Sequence, residues 1–209
     1  MIDYRVYLVT DDPSRYEGNW LDNVRAAIEG GVTCVQYRDT ESAAKVQYER
    51  ILALRDAIGK TPIIVNNDAE LAHAVRADGV HVGQGDMPPD EVRAIVGPKC
   101  EIGLSITDVA QVPKISRGIV DCIGIGPVFD ARKTKADASE AMGLDGLREI
   151  VQRVPDLPNC AIGGITLANA AEVIAAGAKG LAVVSAFSKS ENPYEVAKAF
   201  RLLFDDRRQ

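Results

Sequence analysis

Cys160-Ala-Ile-Gly-Gly-Ile-Thr-Leu-Ala-Asn-Ala-Ala-Glu-Val-Ile-Ala-Ala-Gly-Ala-Lys-Gly-Leu-Ala-Val-Val-Ser-Ala186 reads as strand, glycine turn, helix, strand. The apolar run Cys160-Ala161-Ile162 stops at Gly163-Gly164, and Thr166 is placed to cap a helix whose apolar face is Ala170, Val173, Ile174 and Gly177. Leu181-Ala182-Val183-Val184 is a second buried strand, ending at Ser185. A strand–helix–strand unit crosses over right-handed, so the two strands lie parallel and finish on the same rim. Gly163 and Gly164 leave backbone N–H groups uncovered there, beside a helix N-terminus with its partial positive charge. With Val184-Ser185-Ala186 alongside, the two turns form a cup for a phosphate; the plainer alternative is that the glycines only permit a tight turn.

The rest of the chain repeats the same unit. Strands are expected at Arg5–Thr10, Val32–Arg38, Ile63–Val65, Gly79–Gly83, Glu101–Ser105 and Asp121–Gly126, ahead of the two already described. Helices are expected near Leu21–Ile28, over Ser42–Ile58 with Val46, Ile51, Leu54 and Ile58 as its stripe, over Ala69–Arg76, and from Pro88-Pro89. Further helices are expected over Asp108–Ser116, over Leu144–Val154, and from Pro193 to near Phe204. A polar loop fills 130–138. Strand and helix alternate throughout, with no helix-only or strand-only block, which implies a parallel sheet with helices outside. Eight such units without a reversal favour a closed (β/α)8 TIM barrel forming one domain over 1–209, with the active rim at the strand C-termini.

Composition limits the partners. Hydrophobic residues make up 46% of 209, enough for a sizeable core, and the net charge of −6 argues against nucleic acid as the main partner. No apolar run reaches the length of a membrane span, and Met1-Ile2-Asp3-Tyr4-Arg5 is not a signal peptide. Cys34, Cys100, Cys122 and Cys160 lack metal-ligand or redox spacing and fit buried free thiols in a reducing cytoplasm. His81 and His73 read as core or surface residues, and Trp20 as packing at the first helix.

Polar residues collect at the strand ends: Gln36 and Arg38, Asn66 to Asp68, Gln84 and Asp86, Ser105, Gly163-Gly164 and Val184-Ser185. Gln36 and Arg38, two apart, share one face. That face looks at water in an open sheet, but at the interior rim of a barrel, where Arg38 becomes an anion clamp.

Ala77-Asp-Gly-Val-His-Val-Gly-Gln-Gly-Asp86, Gly124-Ile-Gly-Pro-Val-Phe129 and Ile162-Gly-Gly-Ile-Thr166, in that order and spacing, resemble the thiamine-phosphate synthase family. The resemblance runs from Tyr7-Leu8-Val9-Thr10-Asp11 to Ser185-Ala186. It implies transfer of an aminopyrimidine-methyl group from its diphosphate to the ring nitrogen of a thiazole phosphate. Thiamine phosphate and pyrophosphate would be the products, with Mg2+ on the diphosphate and pyrophosphate leaving before nitrogen attacks. By the same resemblance Arg38 donates to the diphosphate, Gln36 and Asn66 meet the pyrimidine substrate, and Ser105 reaches the pyrimidine. Asp86 binds magnesium, unless it caps the helix ahead of Pro88. Thr134 and Lys135 cover the diphosphate, with Lys133 able to replace Lys135 because the alignment needs one inserted residue. Gly164, Val184 and Ser185 hold the thiazole phosphate.

Two positions depart from the family pattern. Thr40 stands where a lysine is usual, and Asn67 where an aspartate on magnesium is usual. Asn67 with Glu70 also makes a plausible helix cap, and Asp68 comes one residue late. These departures admit a thiazole tautomerase-like isomerase, which would use a histidine near the end of strand five that Ser105-Ile106-Thr107 does not offer. They also admit a non-catalytic thiazole-phosphate binder with a regulatory role.

Overall fold

The structure, a computed structural model, describes residues 1–16, 18–131 and 139–205. Eight parallel strands close into a barrel in chain order: β1 (Val6–Val9), β2 (Cys34–Tyr37), β3 (Ile63–Asn66), β4 (Gly79–Val82), β5 (Glu101–Ile106), β6 (Cys122–Ile125), β7 (Asn159–Ile162) and β8 (Leu181–Val183). Outside lie α1 (Trp20–Gly30), α2 (Ala44–Ile58), α3 (Ala69–Ala74), α4 (Pro89–Val96), α5 (Gly143–Arg153), α6 (Ala170–Ala175), α7 (Ser185–Ser188) and α8 (Pro193–Asp205). This is the (β/α)8 TIM barrel that the alternation predicts. Among the described residues no helix is long and apolar enough to cross a membrane.

Period-two alternation sorts each strand into two faces. Val6 and Leu8, Val35 and Tyr37, Val80 and Val82, and Ile123 and Ile125 point outward into the large core shared with the helices. Tyr4, Tyr7, Val9, Cys34, Ile64, Cys122, Cys160 and Ala182 form a second, smaller core inside the barrel. All four cysteines are free and buried, as their spacing suggests. Carboxylates and amides stitch the N-terminal mouth. Asp78 accepts from Ile63 N–H at 2.8 Å, Asp121 from Ile102 N–H at 2.8 Å, and Asn159 from Lys179 N–H at 3.0 Å. Functional positions are therefore left to the opposite end.

Several local expectations are corrected. The element after β5 is a 3-10 helix, Val109–Lys114, because Pro113 inside it removes a donor and obstructs an α-helical turn. Thr166 does not cap α6. Instead its N–H donates to Asn169 at 2.8 Å, making a turn that sets Asn169 at the helix entry. Val46 is exposed, since α2 begins only at Ala44 and turns Ile51, Leu54 and Ile58 inward. The short α7 was not expected; four residues are too few to show helical periodicity, and it forms because Phe187 is buried against Phe200, 6.0 Å away.

Candidate active site at the C-terminal mouth

The inward-facing residues nearest the strand C-termini line one cavity of about 720 Å³. Gln36, Arg38, Asn66, Asn67, Asp86, Ser105, Gly164, Val184 and Ser185 all lie on its wall, although they come from six different strand ends. The arrangement brings together every candidate in the described residues. Thr134, Lys135 and the alternative Lys133 lie outside the described residues. Room in the middle comes from Gly124, Gly126, Cys160 and Ala182, which present little side chain to the interior.

The polar wall is anchored from behind. Gln36 is buried, and its Nε2 donates to the Tyr7 hydroxyl at 2.6 Å, leaving its carbonyl oxygen for the cavity. Burial pushes the Tyr7 hydroxyl well above its usual pKa, so it stays protonated. Thr10 extends the β1–β2 pairing: its hydroxyl accepts from Arg38 N–H at 2.9 Å and donates to Arg38 C=O at 3.3 Å. Arg38 could have been taken by a surface ion pair with Asp39 or Glu41, but it pairs with neither; Asp39 turns away to Arg50 at 2.7 Å and to the Tyr37 hydroxyl at 2.9 Å. Burial raises the Asp39 carboxyl, but hydrogen bonds from Ser42, Tyr37 and Glu41 outweigh it and hold its pKa at about 2. Among the described residues the Arg38 guanidinium has no hydrogen-bond or ion-pair partner. It is the cationic side chain that the described part of the wall presents, and the same wall carries Glu41 and Asp86.

The acidic side of the cavity is sparse. Asp86 does not cap α4, whose entry at Pro88 has no side-chain cap; its Oδ2 accepts from Gly83 N–H at 2.6 Å, so the carboxylate is fixed by its own turn. Asp68, not Asn67, caps α3, accepting from Leu71 N–H at 2.8 Å. Asn67 sits at φ 62 with its N–H on His81 C=O at 2.8 Å, which frees its side chain for the cavity wall. No group of three or more His, Cys, Asp or Glu among the described residues could hold a metal by itself. Asp86 with the Asn67 amide is nevertheless a donor set that suits magnesium, which takes one or two carboxylates and fills its other positions with phosphate oxygens and water.

On the far side, Gly163 and Gly164 have φ of 99° and 65°, a region that favours glycine. A Cβ on Gly163 would come within 2.5 Å of Pro127 Cβ, and one on Gly164 within 2.7 Å of Phe129 Cβ. The turn is this tight because the β6 loop is zipped onto it, with Val128 N–H on Ile162 C=O at 2.8 Å and Phe129 N–H on Gly163 C=O at 3.0 Å. The Gly164 N–H itself has no acceptor among the described residues. Pairing of Ile162 with Ala182 puts the β8 end, Val184-Ser185, directly beside it.

His81 was read from the sequence only as a core or surface residue. Its imidazole packs in the barrel interior against Gly103 and Gly124, and it also reaches the cavity, with Nε2 3.0 Å from Ser105 Oγ. The signal was available, because Val80 and Val82 are the outward pair of β4 and place His81 inward. Burial lowers its pKa to about 4, partly opposed by the Asp86 charge, so the ring is neutral.

A closed parallel barrel with a polar cavity at its C-terminal mouth, a free guanidinium and an uncovered glycine turn defines a (β/α)8-barrel enzyme. The family model for thiamine monophosphate synthase matches residues 6–187. A thiamine-phosphate synthase of Chloroflexus aurantiacus is 42% identical over 205 residues, covering 97% of this chain and 94% of that protein. One from a Psychrobacter species is 39% identical, covering 92% of each. A solved thiamine phosphate pyrophosphorylase of Pyrococcus furiosus superposes with a TM-score of 0.86 at 31% identity, covering 98% of this chain and 96% of that one. The chain belongs to the thiamine monophosphate synthase family.

Proposed function

We propose that the protein joins an aminopyrimidine-methyl diphosphate to a thiazole phosphate, giving thiamine phosphate and pyrophosphate. The bond from the methylene carbon to the diphosphate oxygen breaks first, and its electron pair leaves with pyrophosphate. The thiazole nitrogen lone pair then forms the new bond to that carbon. Such a step needs no general base or covalent nucleophile; it needs donors where negative charge gathers and a nucleophile held close.

Arg38 donates to the diphosphate, and Thr134 with Lys135 or Lys133 are the further diphosphate residues that the family resemblance implies. The Gln36 carbonyl and the Ser105 hydroxyl orient the pyrimidine, and Asn66 lies at the same end. The backbone N–H groups of Gly164 and Ser185, beside Val184, hold the thiazole phosphate. Asp86 and the Asn67 amide oxygen would hold Mg2+, which when bound neutralises charge on the departing diphosphate. The single observation that carries this reading is the guanidinium of Arg38, without a described partner, on the same cavity wall as the glycine turn.

Incubation with both substrates and magnesium should yield pyrophosphate and thiamine phosphate in equal amounts. Absence of both, alongside tight thiazole-phosphate binding, would reduce the protein to a binder and refute the proposal.

A further inference from the structure

We propose that His81 is a positioning residue for this transfer, its imidazole holding the Ser105 hydroxyl in one orientation toward the pyrimidine end of the cavity. The inference rests on the transferase reading above and extends it to a residue in the layer behind the substrate. A serine hydroxyl is a free rotor with one donor and two acceptor directions, so an unheld Ser105 would present several faces to a bound ring. Here it is held twice from β4 and the turn after it. His81 Nε2 lies 3.0 Å from Oγ, and Gln84 Nε2 donates to the Ser105 carbonyl at 2.7 Å.

The barrel interior is cut to fit the imidazole. His81 is in register with Gly103 on β5. A Cβ on Gly103 would fall 2.3 Å from His81 Nδ1, and one on Gly124 would fall 2.9 Å from Cε1. Neither glycine has a positive φ, so the backbone does not demand them; the ring lying across them does.

The test is a double-mutant cycle on the full chain with His81→Leu, Ser105→Ala and both together, read as kcat/KM for the pyrimidine diphosphate and as Kd for thiazole phosphate. Misplacement of about 1 Å costs up to roughly a hundredfold, so each single variant should lose between about ten- and a hundredfold. The double variant should be no worse than Ser105→Ala, and thiazole-phosphate Kd should stay put. Gly103→Ala, which keeps the imidazole but pushes on Nδ1, should reproduce the His81→Leu loss, and His81→Gln should recover part of it. Losses that multiply in the double variant, or that fall equally on thiazole-phosphate binding, overturn the proposal. A readout without substitution guards against misfolded variants: the His81 imidazole 15N shifts should move when pyrimidine diphosphate binds and not when thiazole phosphate binds. Unmoved shifts also overturn it. If the unsubstituted protein makes no thiamine phosphate, the transferase reading fails and takes this one with it; product together with multiplying losses sinks this one alone.

Discussion

Arg38→Ala isolates the charge that the transfer reaction depends on. The side chain stands half-buried at the cavity mouth, its backbone pinned by the Thr10 hydroxyl at 2.9 and 3.3 Å, and the next residue, Asp39, is engaged by Arg50 at 2.7 Å. No described carboxylate pairs with it, so the guanidinium is available to an anion. A hydrogen bond to a charged group contributes about 1.5–3 kcal/mol. Water at the mouth screens the interaction toward the lower part of that range, and about 1.5–2 kcal/mol is roughly ten- to thirtyfold in affinity. Titration calorimetry with pyrophosphate and magnesium should show that loss in Arg38→Ala, while thiazole phosphate keeps its Kd. Thr10→Val, which leaves the guanidinium but frees its backbone, should show a smaller loss of the same selectivity. Equal weakening of both ligands would refute the assignment of Arg38 to the diphosphate.

Thr40→Lys should raise pyrophosphate affinity by roughly tenfold, the contribution of one added charge-assisted hydrogen bond; unchanged affinity would mean that another residue already fills that place. Asn67→Asp, adding a second carboxylate beside Asp86, should lower the magnesium concentration needed for half-maximal activity, and Asp86→Asn should raise it. Gly30→Ala should destabilise the fold by about 1–3 kcal/mol in urea denaturation, because a Cβ there would lie 2.2 Å from Tyr194 C=O, a backbone atom of α8 that cannot swing aside. The Asp39 carboxyl is held at about 2 in the folded chain, against 3.8 for an unperturbed aspartate, so its contribution is present above 3.8 and disappears as pH falls toward 2. The stability difference between the wild type and Asp39→Asn should therefore shrink between pH 4 and 2, and a constant difference would contradict the role given to Asp39.

Much of the barrel could be read in advance because its determinants are local. Alternating short apolar runs and amphipathic segments, with Gly31, Gly59 and Gly97 closing helices, specify strand and helix in order without reference to distant residues. Where a distant contact decides, the reading failed. The helix expected over Asp108–Ser116 is a 3-10 helix with Pro113 inside it, and α7 exists because Phe187 meets Phe200 from another element. Asp68 rather than Asn67 caps α3 because Asn67 is drawn to φ 62 by its hydrogen bond to His81 C=O on the neighbouring strand.

The site divides in the same way. Gln36, Arg38, Asp86, Ser105 and the Gly163-Gly164 pair were legible as polar or glycine positions at strand ends, since period two and a closed barrel send such positions to one mouth. What those side chains do there was not legible. That Arg38 is free depends on Arg50, twelve positions on, taking Asp39; that Gln36 shows its carbonyl depends on Tyr7; and that His81 serves Ser105 depends on glycines at 103 and 124. Sequence by itself determined the order of elements and which residues point inward, because backbone geometry and side-chain polarity are properties of neighbours along the chain. Only the tertiary structure decided which of those inward groups are paired with one another and which are left open to a ligand, because hydrogen bonds and charge neutralisation depend on distance in space, and the barrel's closure is what sets those distances.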